Sequence, residues 1–172
     1  MIFQVGSFIL PLAAGIDLQQ TYEQLGGQGI LRAVSGRGIK QRTFSKLRVK
    51  TSGNGWMPSG LEDIDQDAQH VMKCVSPRRR LANFTTRQAT LPAGRRSDAG
   101  FAPFAVAELA GGRLVDCAVT IAGDVATAAA VSGAVAYHIN YYPQLTVWTL
   151  SPTTSGNVGD ASYGWELIAE EV

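Results

Sequence analysis

In the second half of the chain, apolar and polar positions alternate in short runs closed by glycine, proline or serine. Phe104–Leu109 and Arg113–Ile121 flank Gly111-Gly112. Two apolar-rich runs around such a pair predict a hairpin, because both turn residues can adopt φ > 0. Val125–Val131 turns at Ser132-Gly133 into Ala134–Tyr142, where Val135, Tyr137, Ile139 and Tyr141 share one face by period two. The alanine-rich run Val125–Val131 is read as strand, since the flanking turns leave too little length for an ordinary helix. Pro143, which has no N–H to donate, interrupts the ladder before Leu145–Leu150. Short strands joined by short turns describe an antiparallel sandwich rather than a parallel sheet.

In the first half, the strand candidates are Phe3–Leu10, Ile30–Val34, Ile39–Val49 and Gln69–Val75, and Asp17–Gln24 is the one expected helix. Ser162–Val172 follows a Thr/Ser/Gly/Asn loop at 151–160 and alternates as a closing strand. The expected fold is therefore all-β, an antiparallel β-sandwich, with a second immunoglobulin-like sandwich portion left open. In the expected division, residues 1–96 plus 151–172 form a β region closed by the last strand. Residues 97–150 form a sandwich portion, and whether these are one domain or two stays open.

Composition narrows the class. The 172 residues are 45% hydrophobic and 17% charged with 19 glycines, which excludes disorder, collagen and coiled coil. Two cysteines, Cys74 and Cys117, exclude a disulfide-rich scaffold and leave a single bridge open. The apolar start Met1–Pro11 has no basic flank, and no run approaches the ~20 apolar residues of a membrane span, so a soluble protein made in a cytoplasm is expected.

The formal charge of +1 conceals a division along the chain. Residues 1–31 carry −2, residues 32–96 carry +10 and residues 97–172 carry −7. Lys40, Arg42, Lys46, Arg48 and Lys50 have one parity, so a continuous strand would line one face with five positive charges over ~33 Å. Such a face can be solvated or can meet an acidic protein surface, within the chain or across a subunit interface. Nucleic acid is the least favoured partner, since interleaved aromatics are lacking and the pI is near 7.8. A second cluster, Arg78, Arg79 and Arg80 followed by Arg87, Arg95 and Arg96, lies among Pro77, Pro92 and Gly94 and reads as an exposed loop or arm. It is either a solvated linker or a segment that docks on a neighbouring subunit.

Tests for catalytic and metal chemistry fail one by one. Asp63-Ile-Asp65-Gln-Asp67 begins like a calcium loop, but Ala68 and Cys74 occupy the positions that need glycine and a bidentate acid. His70, Cys74, Cys117 and His138 lack zinc-pair spacing. Gly26-Gly27-Gln28-Gly29 lacks the strand-to-helix context of a phosphate cradle, and no nucleophile or nucleotide motif is present. No enzymatic activity, cofactor or metal is expected.

Lys46-Leu-Arg-Val-Lys-Thr-Ser-Gly-Asn-Gly-Trp-Met-Pro-Ser-Gly-Leu-Glu-Asp-Ile-Asp65, with the ending Tyr163–Val172, resembles tail structural proteins of tailed bacteriophages. The resemblance implies a small non-enzymatic β protein of the virion, assembled in several copies on the tail or baseplate. A distal-tail position is preferred, and the implied partners are itself and other tail proteins. Ser52-Gly-Asn-Gly55 reads as a turn after the basic strand, which leaves Trp56 either packed in the core or anchoring a neighbour. The rival reading is a sandwich-type module that recognises a host-surface glycan or protein. Its aromatic platform would be Tyr137, Tyr141, Tyr142 and Trp148, although alternation turns Tyr137 and Tyr141 inward.

Overall fold

A computed structural model describes residues 3–157 and 159–172, so Met1 and Ile2 of the apolar start lie outside the described residues. The strands in chain order are β1 (Gln4–Val5), β2 (Phe8–Ile9), β3 (Asp17–Leu25), β4 (Gln28–Arg32), β5 (Gly38–Arg42), β6 (Lys46–Gly55), β7 (Gln69–Lys73), β8 (Arg78–Leu81) and β9 (Gln88–Thr90). They continue as β10 (Phe104–Leu109), β11 (Leu114–Cys117), β12 (Val119–Ala122), β13 (Val125–Ala128), β14 (Ala134–Tyr141), β15 (Gln144–Thr149), β16 (Thr153–Asn157) and β17 (Ser162–Glu171). The helical pieces among the described residues are the 3₁₀ turns Leu12–Ala14 and Leu61–Asp63. The fold is all-β and built from antiparallel sheets, as the alternation predicts. No helix among the described residues is long and apolar enough to cross a membrane.

The chain forms two compact units, Met1–Met72 with Thr146–Val172, and Lys73–Leu145. These limits differ from the expected 1–96 plus 151–172 and 97–150. The reason lies in strand pairing: β8 pairs with β14 and β9 with β13, so the stretch after Lys73 hydrogen-bonds with the second unit.

In the first unit the sheet runs β2-β1-β7-β15-β17-β6-β3, with β16 added to β17. The last strand lies between β15 and β6, so the C-terminus closes the N-terminal sheet as expected. One face is apolar. Val49 and Thr51 of β6, Trp165, Leu167 and Ala169 of β17 and Val147 of β15 are buried with Phe3, Met72 and Leu61. Phe3 stacks on Trp165 at 6.0 Å, and the Trp165 indole N–H donates to the Ala14 carbonyl at 2.7 Å, which ties the first 3₁₀ turn to the sheet.

Several expected elements of this unit take another form. Asp17–Gln24 is strand, not helix: its nine-residue ladder to β6 buries part of Leu18, Gln20 and Tyr22 while Asp17, Gln19, Thr21 and Glu23 face water. Phe3–Leu10 folds into the β1–β2 hairpin around Gly6, whose φ is 58°. Ser52–Gly55 continues β6 instead of turning. Its glycines serve close approach, since a Cβ on Gly53 would lie 2.7 Å from the Trp165 ring and one on Gly55 would lie 2.1 Å from the Ala13 carbonyl oxygen. Residues 153–157 of the expected loop are strand β16.

The second unit is a small sandwich. One sheet runs β11-β10-β14-β8 and the other β12-β13-β9. They share one core made of Ala105, Ala107, Tyr137, Ile139 and Tyr141 from the first and Ala89, Ala126 and Ala128 from the second, with Leu91 and Ala82. The predicted Gly-Gly hairpin joins β10 to β11, with φ of 92° at Gly111 and 80° at Gly112. The run Arg113–Ile121 is two strands, and it changes sheet at Ala118, whose carbonyl accepts from the Ala129 amide at 2.8 Å. Tyr137, Ile139 and Tyr141 share the buried face as period two requires, whereas Val135 at the strand's start is exposed.

Candidate functional site

The basic stripe is not continuous. Lys40 and Arg42 lie on β5, Lys46, Arg48 and Lys50 lie on β6, and residues 43–45 separate the strands. β5 folds back on β4, and the Thr43 amide donates to the Gly27 carbonyl at 3.1 Å, which closes the base of the hairpin.

On β6, the adjoining strands supply the counter-charges. Arg48 pairs with Glu170 at 2.7 Å and Glu23 at 3.3 Å, and Lys50 pairs with Glu166 at 2.8 Å. The Lys46 ammonium donates to the Val172 carbonyl. The Glu170 carboxylate, hydrogen-bonded to the Arg48 guanidinium, raises its already high pKa further. These three basic residues thus meet acidic or carbonyl partners inside their own unit, one of the alternatives left open for the stripe beside plain solvation.

The β4–β5 hairpin is different. It forms a two-stranded sheet by itself, and its described side chains are exposed. Ile30, Leu31, Val34 and Ile39 project into water beside Arg32, Arg37, Lys40 and Arg42, and residues 28–42 contain no acid. Among the described residues none of these four basic side chains forms an ion pair. In the same unit, Glu62, Asp63, Asp65 and Asp67 form an exposed acidic turn around the second 3₁₀ turn. The Asp67 amide donates to the Asp65 carboxylate at 2.9 Å within it.

The arginine triplet is strand, not loop or arm. Arg78, Arg79 and Arg80 lie on β8, which pairs with β14 at the edge of its sheet, and Arg79 donates to the Asn140 side chain at 3.3 Å. Arg95 pairs with Asp124 at 2.7 Å. Arg96 is 1% exposed, bonded to Asp98 at 2.5 Å and to the Cys74 carbonyl at 2.9 Å, with its guanidinium over the Phe101 ring. Both are structural, since each is held by partners within its own unit. Cys74 and Cys117 are not bridged, and burial raises the Cys117 thiol pKa.

The exposed face of β3-β6-β17-β16 carries a feature that the sequence reading did not find. Register aligns Asp17, Asn54, Gly164 and Ser155 in one cross-strand row and Gln19, Ser52, Glu166 and Thr153 in the next. Gly164 and the small Ser52 and Ser155 leave a polar trough of about 370 Å³ over these rows. A Cβ on Gly164 would meet Ser155 Oγ at 2.8 Å and Asn54 Oδ1 at 2.9 Å, so glycine keeps the floor open. A hollow lined by Asp17, Asn54 and Trp56 adjoins it. Trp56 is 75% exposed, which excludes packing in its own core. Reading Asp17–Gln24 as a helix hid this row; the signal available was the run of small residues Ser52–Gly55 opposite Gly164.

The aromatic platform expected for a binding module does not form, because Tyr137 and Tyr141 are buried in the sandwich core. Tyr142 packs edge-on against Phe101, at 5.0 Å between centroids. Trp148 is partly exposed. No protein-family model, no curated protein and no solved structure matches the chain.

Proposed function

We propose that the protein is a structural component of a bacteriophage tail or baseplate, assembled in several copies through protein–protein contacts, with no catalytic role. The observation that carries the multi-copy reading is the β4–β5 hairpin. A two-stranded hairpin exposed on both faces is marginally stable in water, and this one presents four large apolar side chains and four cations that form no ion pair among the described residues. Those are the properties of a docking arm. The tail assignment rests on the resemblance carried by Lys46–Asp65 and Tyr163–Val172.

The occupant of the arm's contact is a second copy of the chain. The acidic turn Glu62–Asp67 offers the complementary charge, and the apolar hairpin residues supply the area that charge alone does not. Because arm and turn are different surfaces, the contact is heterologous and closes into a ring when the rotation permits.

The test uses the full chain and a variant in which residues 28–42 are replaced by a two-residue turn, which the Thr43–Gly27 hydrogen bond makes geometrically feasible. Native mass spectrometry at low salt should show wild-type oligomers and variant monomers. A wild-type protein that stays monomeric and is absent from particles would falsify the reading.

A further inference from the structure

The geometry points to a binding site for a neutral oligosaccharide in the trough on the exposed face of β3, β6, β17 and β16, with Trp56 of the adjoining hollow as its stacking wall. The inference is independent of the assembly reading, because it uses neither the arm nor the acidic turn.

Three properties select this ligand class. First, the trough is polar and shallow. Asp17, Asn54, Ser52 and Ser155 present carboxylate, amide and hydroxyl groups in two rows across four strands, a span of about 14 Å at the usual strand spacing. Its volume, about 370 Å³, suits a small ligand. Mixed donors and acceptors suit sugar hydroxyls, which both donate and accept, better than the apolar side chains of a peptide.

Second, the indole of Trp56 borders the hollow that continues from Asp17 and Asn54 and is 75% exposed. A pyranose ring has one face of C–H groups. An exposed indole covers such a face with a large rigid apolar surface at little conformational cost, while the ring's hydroxyls reach the polar rows. A large aromatic left in water at the end of a polar trough has this use.

Third, the charge balance is acidic. Asp17 makes no ion pair among the described residues, and Glu166 leaves the trough net acidic after Lys50 is counted. A phosphate backbone or a uronic or sialic acid would be repelled, so the site takes neutral sugars.

Wild-type protein and the arm-deleted form are applied to an array of neutral and anionic oligosaccharides, and a retained sugar is titrated against intrinsic tryptophan fluorescence. Both proteins should retain neutral but not anionic glycans. Trp56→Ala and Asp17→Ala should each weaken binding at least tenfold, while circular dichroism and thermal melting stay unchanged because both side chains are exposed. If neither protein retains a neutral oligosaccharide, or if both substitutions leave the affinity unchanged, the proposal is overturned. If Trp56→Ala abolishes self-association without changing sugar binding, Trp56 belongs to a subunit contact and the proposal likewise fails. Binding by the arm-deleted monomer separates the two readings, since it supports this site whether or not the assembly reading holds.

Discussion

A buried arginine is tolerated only when its charge and donors are matched, and Arg96 meets that requirement with Asp98, the Cys74 carbonyl and the Phe101 ring face. The guanidinium also holds the Asp98 carboxyl below its ordinary pKa, chiefly through their hydrogen bond. A carboxyl depressed in the folded state stabilises fully above its unfolded value near ~4, and that stabilisation is lost as pH falls through the folded value. Asp98→Ala should therefore lower stability at neutral pH by about 1.5 kcal/mol, the low end for a charge-assisted bond because Asp98 is partly in solvent. The difference from wild type should shrink below about pH 4, read by thermal melts across pH. Sequence placed Arg96 in an exposed cluster, because a row of arginines gives no sign of which one finds an acid two residues on and a ring five residues on. Gly55 offers a second test. Alanine there would drive its Cβ against the Ala13 carbonyl and should cost about 3 kcal/mol, whereas Gly29→Ala, with open space around it, should cost little in a urea titration.

Among the elements, what could be read from sequence was the local turn chemistry. Gly111-Gly112 demands positive φ at both positions and so fixes the β10–β11 hairpin. Replacing both with alanine should cost about 2–4 kcal/mol, measured by chemical denaturation, because each would be held in left-handed backbone. Elements decided by distant partners were hidden. The polar run Asp17-Leu-Gln-Gln-Thr-Tyr-Glu-Gln24 has weak helical character by itself, and only the ladder to β6 makes it strand. The basic stripe has strand parity throughout, yet parity cannot show that 43–45 leave the strand so that β5 pairs backward with β4. The trough was invisible for the same reason: its rows come from four strands far apart in sequence, aligned by register.

At the scale of the whole molecule, folding redistributes the charge division read along the chain. The first unit holds seven basic and ten acidic side chains, a net of −3, and the second holds eight basic and four acidic, a net of +4. Part of the +10 and −7 segments is paired within units, most clearly where β6 meets the glutamates of β17. The first unit leaves two local charged surfaces, the cationic arm at 28–42 and the acidic turn at 62–67. Attraction between such exposed surfaces is screened, since the Debye length falls from ~10 Å at 0.1 M salt to ~3 Å at 1 M. The arm's apolar residues should make the loss incomplete, as burial of Ile30, Leu31, Val34 and Ile39 does not depend on screening. Sedimentation velocity should then show oligomers that weaken by about tenfold or more across that salt range without vanishing. Reversing the arm's charge at Lys40 and Arg42 to glutamate should abolish them at low salt and weaken them less at 1 M, where the repulsion is screened, and restoring low-salt association with a partner whose Asp63 and Asp65 are lysine would assign the two surfaces to each other.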